Sequence, residues 1–253
     1  MRFTATADTD IGTVKSTNQD SILIEHANTP SGEVLMAIIC DGMGGLSNGE
    51  LASAAVIREF QNWYHKKLPY ELIDPDLKVI GNHWCLLLKE LNVKIMAYGA
   101  GNGGNMGTTF TGILFLRNEY MIAHVGDCRA YYLSDEIQQL TEDQTYVHRE
   151  IMRGTMTEEQ AKMSPKRNML LQCVGASRRV EPALYYGTIG RGAYMLCSDG
   201  FRHEITEKEI FESLNPVNLV NKDAMHSNCK YLIERAKAQG ERDNISVLLI
   251  KTE

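Results

Sequence analysis

The chain has 253 residues, 43% hydrophobic and 23% charged, enough to bury a sizeable core and unlike a disordered or fibrous protein. Lys and Arg number 26 against 32 Asp and Glu, a formal charge of −6 with no long basic run, which disfavours nucleic-acid backbones as partners. The amino terminus lacks the apolar stretch of a secretion signal, and no apolar run approaches the ~18 residues of a membrane span, so a cytoplasmic location away from membranes is expected.

In chain order, the β-branched and aromatic runs at 21–25 and 34–40 read as strands. Helical periodicity follows from 48 to about 68, with Leu51, Ala55, Ile57 and Phe60 apolar, and from 77 to 98, with Trp84, Leu87, Leu88, Leu91 and Ile95; these two predict a helical hairpin. Strands are read again at 108–116, 120–125 and 129–133. A helix near Thr145 is followed by one that Thr157-Glu-Glu-Gln160, a capping-box sequence, would open. A strand at 194–197, helices at 206–214 and 224–239, and a strand at 245–250 complete the chain. Strands in blocks between helical pairs, without strict βαβ alternation, argue for an α+β fold of antiparallel sheets covered by helices. With no internal repeat and no Pro-rich linker, residues 1–253 read as one domain.

The aspartates fall at the ends of these strands. Residues 36–40 run into Asp41-Gly42, 121–125 into Gly126-Asp127, and 194–198 into Asp199-Gly200, while Asp20 and Asp243 stand just before the strands at 21–25 and 245–250. In antiparallel pairing the end of one strand lies beside the start of its neighbour, so all five carboxylates are expected at one rim. Crowded carboxylates repel and protonate unless cations sit among them. Carboxylates, a carbonyl and water, without histidine or thiolate, suit hard ions such as Mg²⁺ or Mn²⁺. Taken singly, each Asp-Gly is better read as ordinary turn chemistry; five such coincidences are harder to dismiss. In Asp41-Gly-Met-Gly-Gly45, three glycines in five residues let the backbone approach an ion closely.

Rival chemistries fit poorly. A cysteine-dependent phosphatase needs Arg six positions after its Cys, but Cys197 has His203 there and Cys40 has Leu46. The glycines at 99, 101, 103 and 104 match a dinucleotide pattern but follow a helix and lead to a strand, the reverse of the required order. The six cysteines form no Cys-x-x-Cys pair and are expected as reduced, mostly buried thiols. His124, alone within a strand, reads as packed, and the twelve methionines as core filler or contacts of a flap.

Eight segments in order resemble the metal-dependent serine/threonine protein phosphatases of the type 2C class, particularly compact bacterial members: Gly12-x-x-Lys15-x-x-Asn18-Gln19-Asp20, the run from Cys40 to Gly45, Met106-Gly107-Thr108-Thr109, Val125-Gly126-Asp127-Cys128-Arg129, Leu140-Thr-Glu-Asp143, Leu171-Gln-Cys-Val-Gly175, Cys197-Ser198-Asp199-Gly200 and Asp243-Asn244-Ile245-Ser246. The resemblance implies a four-layer α-β-β-α sandwich, two mainly antiparallel sheets flanked by helical pairs, with two Mn²⁺ or Mg²⁺ ions in a channel at one edge. By the same resemblance Asp41 bridges both ions, the Gly42 carbonyl binds one, Asp199 and Asp243 hold the other, and Asp20 orients water ligands. Asp127, with Asp199, resembles a third, weaker metal site. The implied reaction is hydrolysis of phosphoserine and phosphothreonine in proteins by attack of a metal-bridging water or hydroxide, which makes Asp20, Asp41, Asp199 and Asp243 the catalytic set and requires no protein nucleophile.

The sequence also departs from that family. Lys15 stands where Arg often grips the substrate phosphate, and offers a point charge in place of a two-pronged donor. Met43 replaces a frequent His, Gln19 a frequent Glu, and Gln144 a frequent His. Residues 145–168, punctuated by Gly154 and Ser164-Pro165, resemble a flap beside the channel; a lid and a plain surface hairpin fit the sequence equally. Lys166 and Arg167 there would meet an acidic phosphopeptide, or are simply solvated. Phosphorylated proteins and a cognate serine/threonine kinase are the partners implied, with the chain a monomer. The competing reading is a catalytically silent relative acting as a binding or scaffold module, whose signature would be loss of the metal aspartates; Asp41, Asp127, Asp199 and Asp243 are all present.

Overall fold

A computed structural model describes residues 1–30, 32–43, 48–102 and 104–253. The elements run β1 (Phe3–Asp10), β2 (Asp20–Thr29), β3 (Gly32–Asp41), α1 (Gly49–Lys66), α2 (Leu68–Glu71), α3 (Leu77–Gly101), β4 (Phe110–Leu116), β5 (Glu119–Val125), β6 (Arg129–Leu133), β7 (Ile137–Gln139), α4 (Tyr146–Met152), α5 (Glu158–Lys162), β8 (Ala183–Thr188), β9 (Gly192–Cys197), α6 (Asp199–Arg202), α7 (Glu207–Leu214), α8 (Lys222–Ala238) and β10 (Ile245–Thr252). One sheet has the order β1-β10-β9-β6-β7 and the other β2-β3-β4-β5-β8. Every pairing between these strands is antiparallel.

The layers follow from side-chain alternation. In β3, Val34, Met36, Ile38 and Cys40 point to a core shared with α1 and α3, where Phe60, Trp84 and Phe110 are fully buried. Leu35, Ala37 and Ile39, on the other face, meet Leu196, Leu248 and Ile250 of the facing sheet. A third core packs Val247 and Leu249 of β10 against Cys229, Leu232 and Ala236 of α8. Helices, two sheets and helices therefore stack in the four layers that the resemblance implied, one helical pair (α1 and α3) on one side and another (α7 and α8) on the other.

Helix starts coincide with capping chemistry. Asp76 accepts from the backbone N–H groups of Lys78 and Val79 at the head of α3, and Thr157 with Gln160 forms the capping box expected for α5. Thr206 and Glu209 form another at α7. Three strands were absent from the sequence reading: β1, β7 and β8. β1 and β8 are half-buried edge strands and β7 has three residues; β1 and β7 carry no continuous apolar run, and that of β8 is only Ala183 to Tyr186.

The two ends of the sandwich differ. At one end Phe3, Phe115, Tyr120, Tyr132 and Tyr194 interlock, with ring centroids 5.2 Å apart for Phe3–Phe115 and 4.9 Å for both Phe115–Tyr194 and Tyr132–Tyr194. At the other end lie the terminal aspartates: Asp20 opens β2 directly opposite Asp41 at the close of β3. All six cysteines are free, five of them buried. Among the described residues no helix is long and apolar enough to cross a membrane.

Candidate metal centre and catalytic cleft

The aspartate end opens into a cleft of about 540 Å³. Lys15, Asp41, Asp127, Asp199 and Asp243 line it, drawn from loops that both sheets contribute, and Met43, Leu170, Cys173 and Ala176 form an apolar flank. The structure thus brings together four of the five expected carboxylates at the surface of one cavity. Asp20, the fifth, is buried behind them: Ser246 Oγ donates to its Oδ2 at 2.6 Å, and its Oδ1 has no partner.

Each acid is held by backbone. The Asp41 N–H donates to Thr109 Oγ1 at 2.9 Å, and the Asp41 carbonyl accepts from the Thr109 N–H at 2.8 Å and Thr108 Oγ1 at 2.9 Å. Gly42 admits no side chain, since a Cβ there would stand 2.5 Å from the Gly49 carbonyl oxygen and 2.6 Å from that of Gln19. Asp199 is the first residue of α6, and its Oδ1 is buried without a partner. Asp243 accepts from the Asn244 N–H at 2.8 Å, while its own N–H donates to Glu241 Oε1 at 2.8 Å. Asn244 binds the loop between β1 and β2, donating to the Ile11 carbonyl at 2.9 Å and accepting from the Gln19 N–H at 2.9 Å.

The electrostatics show how tightly the acids are gathered. Burial first, then the charges of Asp20, Asp199, Asp127 and Asp243, push the Asp41 carboxyl well above the usual carboxylate range. Burial pushes Asp20 up to about 7, opposed by hydrogen bonds from Ser246 and Ser198 and reinforced by Asp199 and Asp243. Asp127 is likewise pushed up to about 7, by burial and then Asp199, with Arg202 opposing. Two buried carboxylate oxygens here, on Asp20 and Asp199, have no partner in the protein, which leaves them free to meet a cation or its water ligands. An all-oxygen donor set fits Mn²⁺ or Mg²⁺. Among the described residues no three His, Cys, Asp or Glu side chains are already drawn in to ligating spacing. Lys15 Nζ stands 2.7 Å from Asp243 Oδ1. Burial would lower the Lys15 ammonium, but Asp243, then Asp41 and Asp199, hold it above its ordinary value.

Gln144, whose role was not legible in the sequence, ties the flap root to the acids. Its Oε1 accepts from the Gly126 N–H at 2.9 Å, beside Asp127, and from Gln172 Nε2 at 2.8 Å. The segment expected as a flap is closed at its base where Tyr146 N donates to the Met169 carbonyl and Leu171 N to the Gln144 carbonyl, each at 2.8 Å. Lys166 Nζ lies 4.7 Å from the centre of the Tyr146 ring. A charged network that sequence reading missed stands behind Asp127: Arg129 Nε and Nη2 each donate to Asp143 at 2.8 Å, and Arg202 Nη2 donates to the Asp127 carbonyl at 3.0 Å. His124 is packed, as expected, with Thr111 Oγ1 2.9 Å from Nδ1 and the Glu142 carbonyl 3.1 Å from Nε2, and burial lowers it to about 4. Gly44 and Gly45 of the glycine-rich motif, and Gly103 of the 99–104 glycine pattern, lie outside the described residues, while Gly99 and Gly101 fall in the last turn of α3.

The chain is similar to a set of bacterial enzymes over nearly its whole length. A serine/threonine phosphatase of Listeria monocytogenes, stp, is 30% identical over 254 residues, covering 96% of this chain and 93% of its own. The crystal structure of the serine/threonine phosphatase Stp1 from Staphylococcus aureus superposes with a TM-score of 0.86 at 27% identity, covering 100% of this chain and 96% of that one. The catalytic domain of the serine threonine protein phosphatase PstP, in complex with 2 manganese ions, superposes with a TM-score of 0.78 at 29% identity, covering 98% and 97%. The model of the protein phosphatase 2C family matches residues 13–247, and the chain belongs to that family.

Proposed function

We propose that the cleft is the active site of a protein phosphatase acting on phosphoserine and phosphothreonine with two divalent cations, Mn²⁺ or Mg²⁺. The observation that carries this is the convergence of Asp20, Asp41, Asp127, Asp199 and Asp243, with orphaned carboxylate oxygens on Asp20 and Asp199. Asp41 and the Gly42 carbonyl would hold one ion, and Asp41, Asp199 and Asp243 the other; Asp127 with Asp199 would hold a third, more weakly. Bound there, the ions supply Lewis acidity that readies water for in-line attack and neutralises charge on the phosphoryl oxygens.

The residues around them do the positioning. Asp20, fixed through one oxygen by Ser246, keeps the other free to orient water by hydrogen bonding. Lys15, at the cleft surface, offers its ammonium to the substrate phosphate. The apolar flank excludes water, which strengthens the electrostatic interactions inside. Retention of every acid, four of them lining one cavity with Asp20 behind, favours catalysis over a silent scaffold. Residues 1–253 act as one catalytic domain with a flap at about 145–168, monomeric and cytoplasmic, and a serine/threonine kinase of the same cell supplies the substrates; the absence of a membrane-spanning helix among the described residues is compatible with that location.

The test is Asp199→Asn, which replaces a rim carboxylate with an amide of the same shape that binds hard cations poorly. Turnover of a phosphothreonine peptide with Mn²⁺ is expected to vanish while the circular dichroism spectrum stays unchanged. A near-wild-type rate in metal-defined buffer would defeat the assignment.

A further inference from the structure

We infer that His203 is a positioning residue of the metal centre, joining the two aspartates that arrive from different loops, Asp199 and Asp243; this rests on the metal-centre reading above. His203 lies four residues after Asp199, so one helical turn puts both side chains on the same face, and the His203 N–H donates to the Asp199 carbonyl at 3.0 Å. Its Nε2 stands 3.6 Å from Asp199 Oδ2, and its Nδ1 stands 3.6 Å from Glu241 Oε2. Glu241 is 5% exposed, and its other oxygen, Oε1, accepts from the N–H groups of Arg242 at 2.7 Å and Asp243 at 2.8 Å.

The chain of contacts therefore runs from the Asp199 carboxylate through the imidazole to Glu241, and from Glu241 to the backbone of Asp243. Glu241 Oε2 is buried and has no hydrogen-bond partner, and the His203 ring faces it at 3.6 Å. An imidazole wedged between the two carboxylates limits the directions open to the Asp199 side chain. It also holds the 241–243 turn against α6. Groups of this kind, one step removed from a metal, set ligand orientation, and their loss typically weakens metal affinity about 10- to 100-fold.

The test is calorimetric titration of the metal-free full chain with MnCl₂, counting sites and their affinities for the wild type, His203→Ala, His203→Gln and Glu241→Gln, with the thermal midpoint of each metal-free protein measured alongside. The expected result is two sites in the wild type, one of them weakened at least about 10-fold in His203→Ala and in Glu241→Gln, and restored to within about 3-fold in His203→Gln, whose polar side chain occupies the same space beside Asp199. The metal-free midpoints are expected to stay level. Unchanged Mn²⁺ affinities in His203→Ala and Glu241→Gln overturn the inference, as does a loss of midpoint with no change in affinity. Should His203→Ala not fold, the Glu241→Gln and His203→Gln pair decides in the same way. A wild type that binds no Mn²⁺ defeats the metal-centre reading itself, an outcome distinct from the failure of His203 alone.

Discussion

The turn carrying Asp243 and Asn244 is wedged between two glycines, and this makes a quantitative test of the metal centre. A Cβ added to Gly12 would lie 2.1 Å from the Asp243 carbonyl oxygen, and one added to Gly200 would lie 2.2 Å from the Asn244 carbonyl oxygen. Carbon and oxygen do not pack closer than roughly 3.2 Å, so Gly12→Ala forces the Asp243 backbone back by about 1 Å. Metal–ligand distances tolerate deviations of about 0.2 Å, so a shift of this size takes Asp243 out of reach of an ion. Gly12 also has φ +78, which costs an alanine a further 1–2 kcal/mol or so. Together these predict a destabilisation of about 2–4 kcal/mol, or roughly 5–15 °C in the metal-free midpoint for a chain of this size.

Gly154 supplies the control. Its φ is +71, yet a Cβ there meets nothing within 4 Å, so Gly154→Ala carries the backbone strain without the collision. The assay is differential scanning fluorimetry with EDTA, followed by turnover against Mn²⁺ concentration. Gly12→Ala is expected to lose midpoint and to raise half-saturating Mn²⁺ at least about 10-fold, whereas Gly154→Ala loses about 1–2 kcal/mol of stability and keeps its Mn²⁺ dependence. Equal behaviour of the two alanines would refute the reasoning.

Three more outcomes are expected. Asp20 and Asp127 have folded-state values near 7, raised from the ordinary 3.8, so their protonated forms favour folding and this contribution is lost as pH rises from about 4 through 7. EDTA-treated protein should lose a few kcal/mol between pH 5 and 8 and regain it with Mn²⁺; a flat melting profile without metal would contradict this. Gln144→Ala strands the buried Gly126 N–H, costing about 1–3 kcal/mol, and should speed hydrogen exchange across 145–170; unchanged exchange would show that the flap is anchored elsewhere. Lys15→Ala should raise KM for a phosphopeptide and, by freeing Asp243 Oδ1, lower the Mn²⁺ needed for half-saturation, while a fall in kcat at constant KM would assign the lysine a different task.

The features legible in the sequence were those written in contiguous residues. β3, β4, β5, β9 and β10 are buried on both faces, so they read as apolar runs, and the aspartates at their ends could be placed at one rim from antiparallel geometry alone. β1 reads Phe-Thr-Ala-Thr-Ala-Asp-Thr-Asp, a half-wet edge that resembles a loop until its register against β10 is seen. That pairing matters to the site, because it brings Thr9 Oγ1 to 2.8 Å from Ser246 Oγ, which in turn grips Asp20. Gln144, Glu241 and His203 were equally silent. Their contacts depend on how separate turns and strands come together, and no spacing rule records contacts of that kind. The Lys15–Asp243 ion pair was missed for the same reason: it spans 228 positions of chain.

The stacked rings and the acid rim sit at opposite ends of the same strands. From Leu35, beside the rings, to Asp41 is six residues, a lever arm of about 20 Å. One end of the sandwich is thus closed by aromatic contacts, while the other presents Asp41 from one sheet and Asp199 from its partner to a single cleft. The two ends divide the labour: the rings hold the sheets together, so Tyr194→Ala should cost about 3–5 kcal/mol of fold stability roughly 20 Å from the acids.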